Sequence, residues 1–491
     1  MQNIKTRFIT SIIFFFLIYT VMLYVIARAV CLVITHDEAY SFYNVKHFWY
    51  VETLCTGNTH WFNFLAMKTA ILFGLEKASQ LRWFAVFSSA VYLTVAYFWI
   101  RSLKDLPTKI FAFTVALLNP FLIDYLGLAR GYATGLMFES LAIVCVCMAI
   151  KKRGLAAGKA GRKITILSLF FAGMASIANF NFFYFFVAFG ALYFYRFYLK
   201  QGFDFIRQKW FYLELIYCFG ISFLVLRALK FMTECSNDIG EYGGDSLVTS
   251  IFAGFIDTFL YGKYKLSLSA VEVCGYVLFL LLMIMATHSI VMFRKHKNTW
   301  YTIASSLLVI MLGLCVFNKW CFDVLYPTYR TTLMFYPLIA LVIVGFFSTI
   351  ITYKKTKAAL FYGISISLFA HFVTTINTGR TFDYYQQEDS KNCFEYLKSI
   401  GAKKVGLCGE LFGVYRNYYQ MTEKYKYPFE AERLNTDALL RDTRYSDDIM
   451  KDEYLVLFPP YNMSFYKGTP IQLKGMKYYQ SSGTLVVRIS H

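Results

Sequence analysis

Val33 to Val45 reads VITHDEAYSFYNV, a His and two adjacent carboxylates set directly after a long apolar run. Charged groups at the rim of a membrane are costly to desolvate, so Asp37 and Glu38 either serve a site or open a helix. In a helix opening, acids favour the dipole, and Thr35 or Asp37 can accept from the first free N–H groups. A second stretch, LNPFLIDYLGLARGYATG from Leu118 to Gly135, places Asp124 and Arg130 at the facing ends of two apolar runs joined by almost no loop. Either the two pair with each other, or both point into a shared cavity. In a cavity a planar guanidinium matches phosphate oxygens through two parallel bonds, which makes Arg130 a candidate phosphate clamp. His60 and Arg330 complete the set of polar residues expected on the same side.

The elements that must position these residues are membrane spans. Of 491 residues, 57% are hydrophobic and 16% charged, and the apolar residues fall in runs near the ~20 needed to cross a bilayer. Spans are predicted at 9–26, 81–100, 110–126, 131–150, 164–179, 182–195, 211–231, 266–293, 301–317, 332–350 and 358–378. The first follows Lys5 and Arg7 and exceeds the ~7–15 residues of a signal core, so it reads as an uncleaved helix. The formal charge of +19 lies in short clusters such as Arg101/Lys104/Lys109 and Lys354/Lys355/Lys357, in alternate loops and not on one face. These clusters read as topology signals and exclude nucleic acid as the partner. They put the N-terminus in the cytoplasm, and place 35–80, 128–130, 318–330 and the tail from Gly379 outside, so all the candidate residues share the outer side.

Within the loop 35–80, Phe42, Val45, Trp49 and Leu54 recur at helical spacing among polar residues, which predicts an interfacial helix on the membrane surface. The chain divides into a membrane domain over 1–378 and a small extracytoplasmic α/β domain over 379–491. Strands are expected at 404–408, 454–458 and 484–489, and a helix over 390–400 that stops at Gly401. The eleven Cys have no metal spacing or paired framework. Glu139 and His371 lie inside spans and read as hydrogen-bonded core groups, His288 and Glu214 lie near cytoplasmic ends, and Glu241 to Ser246 reads as a solvated loop tip.

The pieces HDEAYSF, then NTHWFNFLAMK, then NPFLIDYLGLARGYAT occur in the order and spacing of a known family. The chain resembles GT-C glycosyltransferases of the bacterial branch near family 39, the protein O-mannosyltransferases and lipid A aminoarabinose transferases. YPTYRTTLMFYP from Tyr326 is similar to a later segment of that family. The resemblance implies an all-α polytopic membrane domain of about eleven helices of GT-C type in the bacterial inner membrane. It also implies transfer of a sugar, with inversion, from a polyprenyl-phosphate carrier to a protein, lipid or glycan acceptor outside. It makes Asp37 the base and Arg130, with Arg330, the stabiliser of the leaving phosphate, and it places Tyr132 among the substrate contacts and His60 in contact with substrate or metal. Glu38 and Asp124 would orient the donor or hold a divalent metal ion through oxygen ligands. Two positions depart from the family: His60-Trp61-Phe62 stands where relatives often carry His-Pro-Pro, and Asn179 and Asn181 stand where several carry His. The rival reading is a lipid or solute transporter, which would spread charges through the midplane and break helices in matching halves; neither pattern is evident in the sequence.

Overall fold

The computed structural model describes residues 2–47, 60–151, 159–201, 206–235, 243–264, 266–292, 299–422, 427–434, 454–457 and 473–489. Trp49 and Leu54 of the first outer loop, Glu241 and Tyr242 of the loop tip, and Phe458 at the end of an expected strand lie outside them. The helices run in order α1 Gln2–Cys31, α2 His36–His47, α3 Trp61–Leu72, α4 Ala78–Leu81, α5 Trp83–Ser102, α6 Leu106–Leu117, α7 Pro120–Gly127, α8 Tyr132–Lys151 and α9 Lys159–Ala178. They continue with α10 Phe183–Gln201, α11 Lys209–Cys235, α12 Gly254–Leu260, α13 Leu268–Val291, α14 Thr299–Phe322, α15 Tyr336–Ile350, α16 Lys354–Thr375, α17 Ser390–Ser399 and α18 Gly409–Val414.

Each expected span is helical. Among the described residues eight helices are long and apolar enough to cross a membrane, and α6 with α7 would make a ninth. The fold is that of a multi-pass helical membrane protein. The run predicted as one span over 110–126 is two helices that meet at 59°. The cause is local: Pro120 has no N–H to continue α6, and Asn119 caps the new helix by accepting from the Leu122 N–H at 3.1 Å. Asp105 starts α6 in the same way, accepting from the Thr108 N–H at 3.0 Å, and its second oxygen pairs with Lys357 at 2.9 Å. Aromatic packing then joins α6 to α16, where Phe111 stacks on Phe361 with centroids 4.5 Å apart.

The chain forms two compact units. The first comprises Met1–Ile26, Leu54–Leu65 and Trp83–Ile376, and the second Ala27–Thr53, Ala66–Arg82 and Asn377–His491. The second unit carries a five-stranded sheet in the order β2-β1-β3-β5-β4, from β1 Lys404–Cys408, β2 Glu430–Leu434, β3 Tyr454–Leu457, β4 Leu473–Tyr479 and β5 Thr484–Ile489. β1 pairs parallel with β2 and β3, and β5 antiparallel with β3 and β4. The three expected strands are the central ones. Helix α17 also falls where expected and ends just before Gly401, whose φ is +68°.

Helix α2 differs from the surface-lying helix read from its sequence. Phe42 and Val45 are fully buried, and Phe42 meets Tyr418 edge to face at 5.2 Å. Its apolar residues are covered by the segment 409–419 of the same unit, so protein packing buries them.

Candidate active site

The first turn of α2 assigns the two carboxylates different work. Thr35, His36, Asp37 and Glu38 form a capping box: the Glu38 N–H donates to Thr35 Oγ1 at 3.3 Å, and the Thr35 N–H donates back to Glu38 Oε2 at 3.1 Å. Glu38 also receives a two-pronged bond from Arg82, Nε to Oε1 at 2.8 Å and Nη2 to Oε2 at 2.6 Å. Arg82 gives its remaining donors to the carbonyls of Ala29, Leu32 and Val33, at 3.0, 2.8 and 2.8 Å. All five guanidinium N–H groups are thereby matched, and carbonyls at the end of α1 that have no helical partner are satisfied. Both side chains are essentially fully buried, so the pair fastens the end of α1 to the start of α2.

Asp37 follows about 100° around the same turn. It is 6% exposed and accepts a short hydrogen bond from the Tyr384 hydroxyl, while His36 Nδ1 lies 3.8 Å from its other oxygen. Tyr384 comes from the second unit's C-terminal segment, which is tied to α1 and α2 at several points. Gln387 accepts from the His36 N–H at 2.7 Å and donates to Glu410 at 2.6 Å. Arg28 donates to the Arg380 carbonyl at 2.7 Å and to Asn377 Oδ1 at 3.1 Å. Close by in sequence, burial and the neighbouring Asp389 hold the Glu388 carboxyl above its ordinary value, against the opposing pull of Arg380.

In the first unit, Asp124, Arg130 and Tyr132 are buried around the α7–α8 junction. Both Asp124 oxygens accept from the Tyr261 hydroxyl, at 3.0 and 2.9 Å. Tyr261 ends α12 in the left-handed region, with φ +55°, a conformation that turns the chain sharply at that point. The turn carrying Arg130 is tight, with its N–H donating to the Leu128 carbonyl at 2.8 Å, and Gly131 follows at φ +71°. A Cβ at Gly131 would lie 2.5 Å from the Ala178 carbonyl and 2.8 Å from the His60 ring, so only glycine permits this approach. His60 is buried, and its ring centroid lies 5.8 Å from that of Tyr132. Asn63 donates to the Ala129 carbonyl and so fixes the start of α3 to the same turn. Arg330 sits on the 3-10 helix Tyr329–Phe335, which packs on α8 and on the turn Phe180–Phe182.

The candidate residues therefore fall in two sets: Asp37 and Glu38 in the second unit, and His60, Asp124, Arg130, Tyr132 and Arg330 in the first. Sequence reasoning missed Arg82, Tyr384, Tyr261 and Arg28, because nothing local marks a partner tens to hundreds of residues away. Among the described residues no three His, Cys, Asp or Glu gather in a way that could hold a metal ion. Glu38 would have to release Arg82 to become a ligand, so the donor set does not fit a metal and no step below uses one. Of the residues read as core, His371 bonds the Phe259 carbonyl at 2.7 Å. Glu139 departs from that reading: it is fully buried and neither oxygen has a hydrogen-bond partner among the described residues.

No family model and no curated protein sequence matches the chain. Among solved structures it is similar to ArnT from Cupriavidus metallidurans bound to undecaprenyl phosphate, at 11% identity over 97% of each chain and a TM-score of 0.43. It is also similar to an Archaeoglobus fulgidus oligosaccharyltransferase in complex with zinc and sulfate, at 11% identity over 95% of this chain and 73% of that one, with a TM-score of 0.43.

Proposed function

We propose that the protein is an inverting glycosyltransferase that moves a sugar from a polyprenyl-phosphate carrier to an acceptor hydroxyl on the outer face of the membrane. The observation that carries the reading is the division of labour at α2. Glu38 is consumed by the capping box and Arg82, whereas its neighbour Asp37 is a buried carboxylate outside the capping box that accepts from the Tyr384 hydroxyl. The capping box and the Arg82 pair account for Glu38 and leave the buried Asp37 carboxylate outside both.

In the reaction, the acceptor oxygen attacks the anomeric carbon and the bond from that carbon to the phosphate oxygen breaks. Asp37 takes the hydroxyl proton as the new bond forms, a contribution of roughly 10²–10⁴-fold. The Tyr384 hydroxyl holds the carboxylate in place, and Glu38 acts through the turn that it fixes. Polyprenyl phosphate leaves with growing negative charge, which Arg130 stabilises with two parallel bonds from a buried position. Arg330, His60 and Tyr132 contact donor or acceptor. The outward orientation rests on the basic loops. The test is to incubate the purified protein with a panel of polyprenyl-phosphate sugars and follow release of the lipid phosphate. Release that depends on Asp37 supports the reading, and a protein that binds such lipids yet releases none across the panel overturns it.

A further inference from the structure

A groove of about 1170 Å³ opens in the first unit where α1 passes the end of α5 and the start of α6. Ile12, Phe15 and Phe16 form its apolar wall and are exposed, while Arg101, Lys104 and Lys109 line its other end. The Tyr97 hydroxyl donates to the Ser11 carbonyl at 3.4 Å and Tyr97 meets Phe15 edge to face, which closes the groove between α1 and α5. The nearest acid in sequence, Asp105, is spent on Lys357 and the α6 cap, and neither Arg101 nor Lys104 has an ion-pair partner among the described residues. Arg101 and Lys104 are therefore uncompensated among the described residues.

The volume exceeds the ~300–1000 Å³ of ordinary small-molecule pockets. The lining changes from aromatic to cationic along the helix direction, which suits an amphiphile with an apolar chain and an anionic head. The groove is also separate from the donor phosphate clamp. α5 runs from Trp83 to Ser102 and α6–α7 return to Gly127, so Arg101 to Lys109 lie at the opposite end of these spans from Arg130, ~30 Å away along a 20-residue helix. We propose that this groove binds an anionic glycerophospholipid, its acyl chains against α1 and its phosphate held by Arg101 and Lys104. Two cations beside an apolar cleft at a membrane rim match such a headgroup in charge and depth.

The test uses the full chain reconstituted in phosphatidylcholine vesicles with a minor fraction of phosphatidylglycerol, and spin-labelled forms of both lipids to measure which the protein immobilises. The wild type is expected to prefer the labelled phosphatidylglycerol. The double variant R101Q/K104Q should lose that preference by about fivefold for each charge removed. The double variant K354Q/K355Q, which removes two exposed charges from another basic cluster, should keep it. Equal losses in the two double variants would mean diffuse surface attraction and overturn the site, as would a wild type that shows no preference between the lipids.

Discussion

At the scale of single residues, the structure makes Glu38 an anchor and the proposed reaction makes Asp37 the base, so their substitutions should fail differently. Asp37→Asn keeps shape and still accepts from Tyr384, but it cannot take a proton. Turnover should fall by roughly 10²–10⁴-fold while thermal stability and donor binding persist. Glu38→Ala leaves Arg82 buried without its carboxylate, so the loss should appear first as stability, on the order of 3–5 kcal/mol in denaturation of the purified protein. Wild-type turnover in Asp37→Asn would reduce the pair to a helix cap. Arg130→Lys replaces a fork with a point charge; donor titration should show weakened binding in a protein that still folds, and unchanged affinity would leave Arg130 a structural ion-pair partner. Glu388 supplies a pH signature. Its folded value lies above that of the unfolded chain, so its contribution to stability is present in acid and is lost as pH rises through the folded value. Glu388→Gln should therefore raise the melting temperature at pH ~7 and converge with wild type below pH ~4, the ordinary range of a glutamate.

At the scale of elements, the helix starts are the most legible part of the chain. T-x-x-E at Thr35 to Glu38 is a capping box in sequence and in space, and Asn119-Pro120 stops one helix and starts the next. Asp105 is a third such start. Burial raises its carboxyl, but the Thr108 and Lys357 bonds outweigh that and hold it below the usual aspartate value. Its contribution is thus present above pH ~4 and fades as pH falls through the folded value. Asp105→Ala should cost about 1 kcal/mol at neutral pH, and less in acid, in unfolding followed across pH. Strands show where legibility ends. β1, β3 and β5 are central, apolar and readable, whereas β2 (EAERL) and β4 (LKGMKYY) are edge strands whose charges and glycine suit an exposed rim. Their strand character comes from pairing with neighbours that the local sequence does not name. The same limit hid Arg82 and Tyr384, whose importance lies in what they touch 44 and 347 residues away.

At the scale of the whole chain, the alternating basic loops predict that the N-terminus faces the cytoplasm and that an odd number of spans leaves His491 outside. Alkaline phosphatase fused after His491 should be active and a cytoplasm-only fluorescent reporter dark; the reverse pattern would refute both the topology and the outward active site. The composition of the second unit also bears on how the protein is made. Asp37 is synthesised 347 residues before the tyrosine that orients it. At ~5–20 residues per second the ribosome needs about 20–70 s to cover that distance. During this interval the start of α2 can acquire Arg82, 44 residues on, but neither Tyr384 nor the Tyr418 that covers Phe42. A nascent chain arrested after Ile376 would carry every helix of membrane-crossing length among the described residues and still lack the two tyrosines that orient Asp37 and cover Phe42.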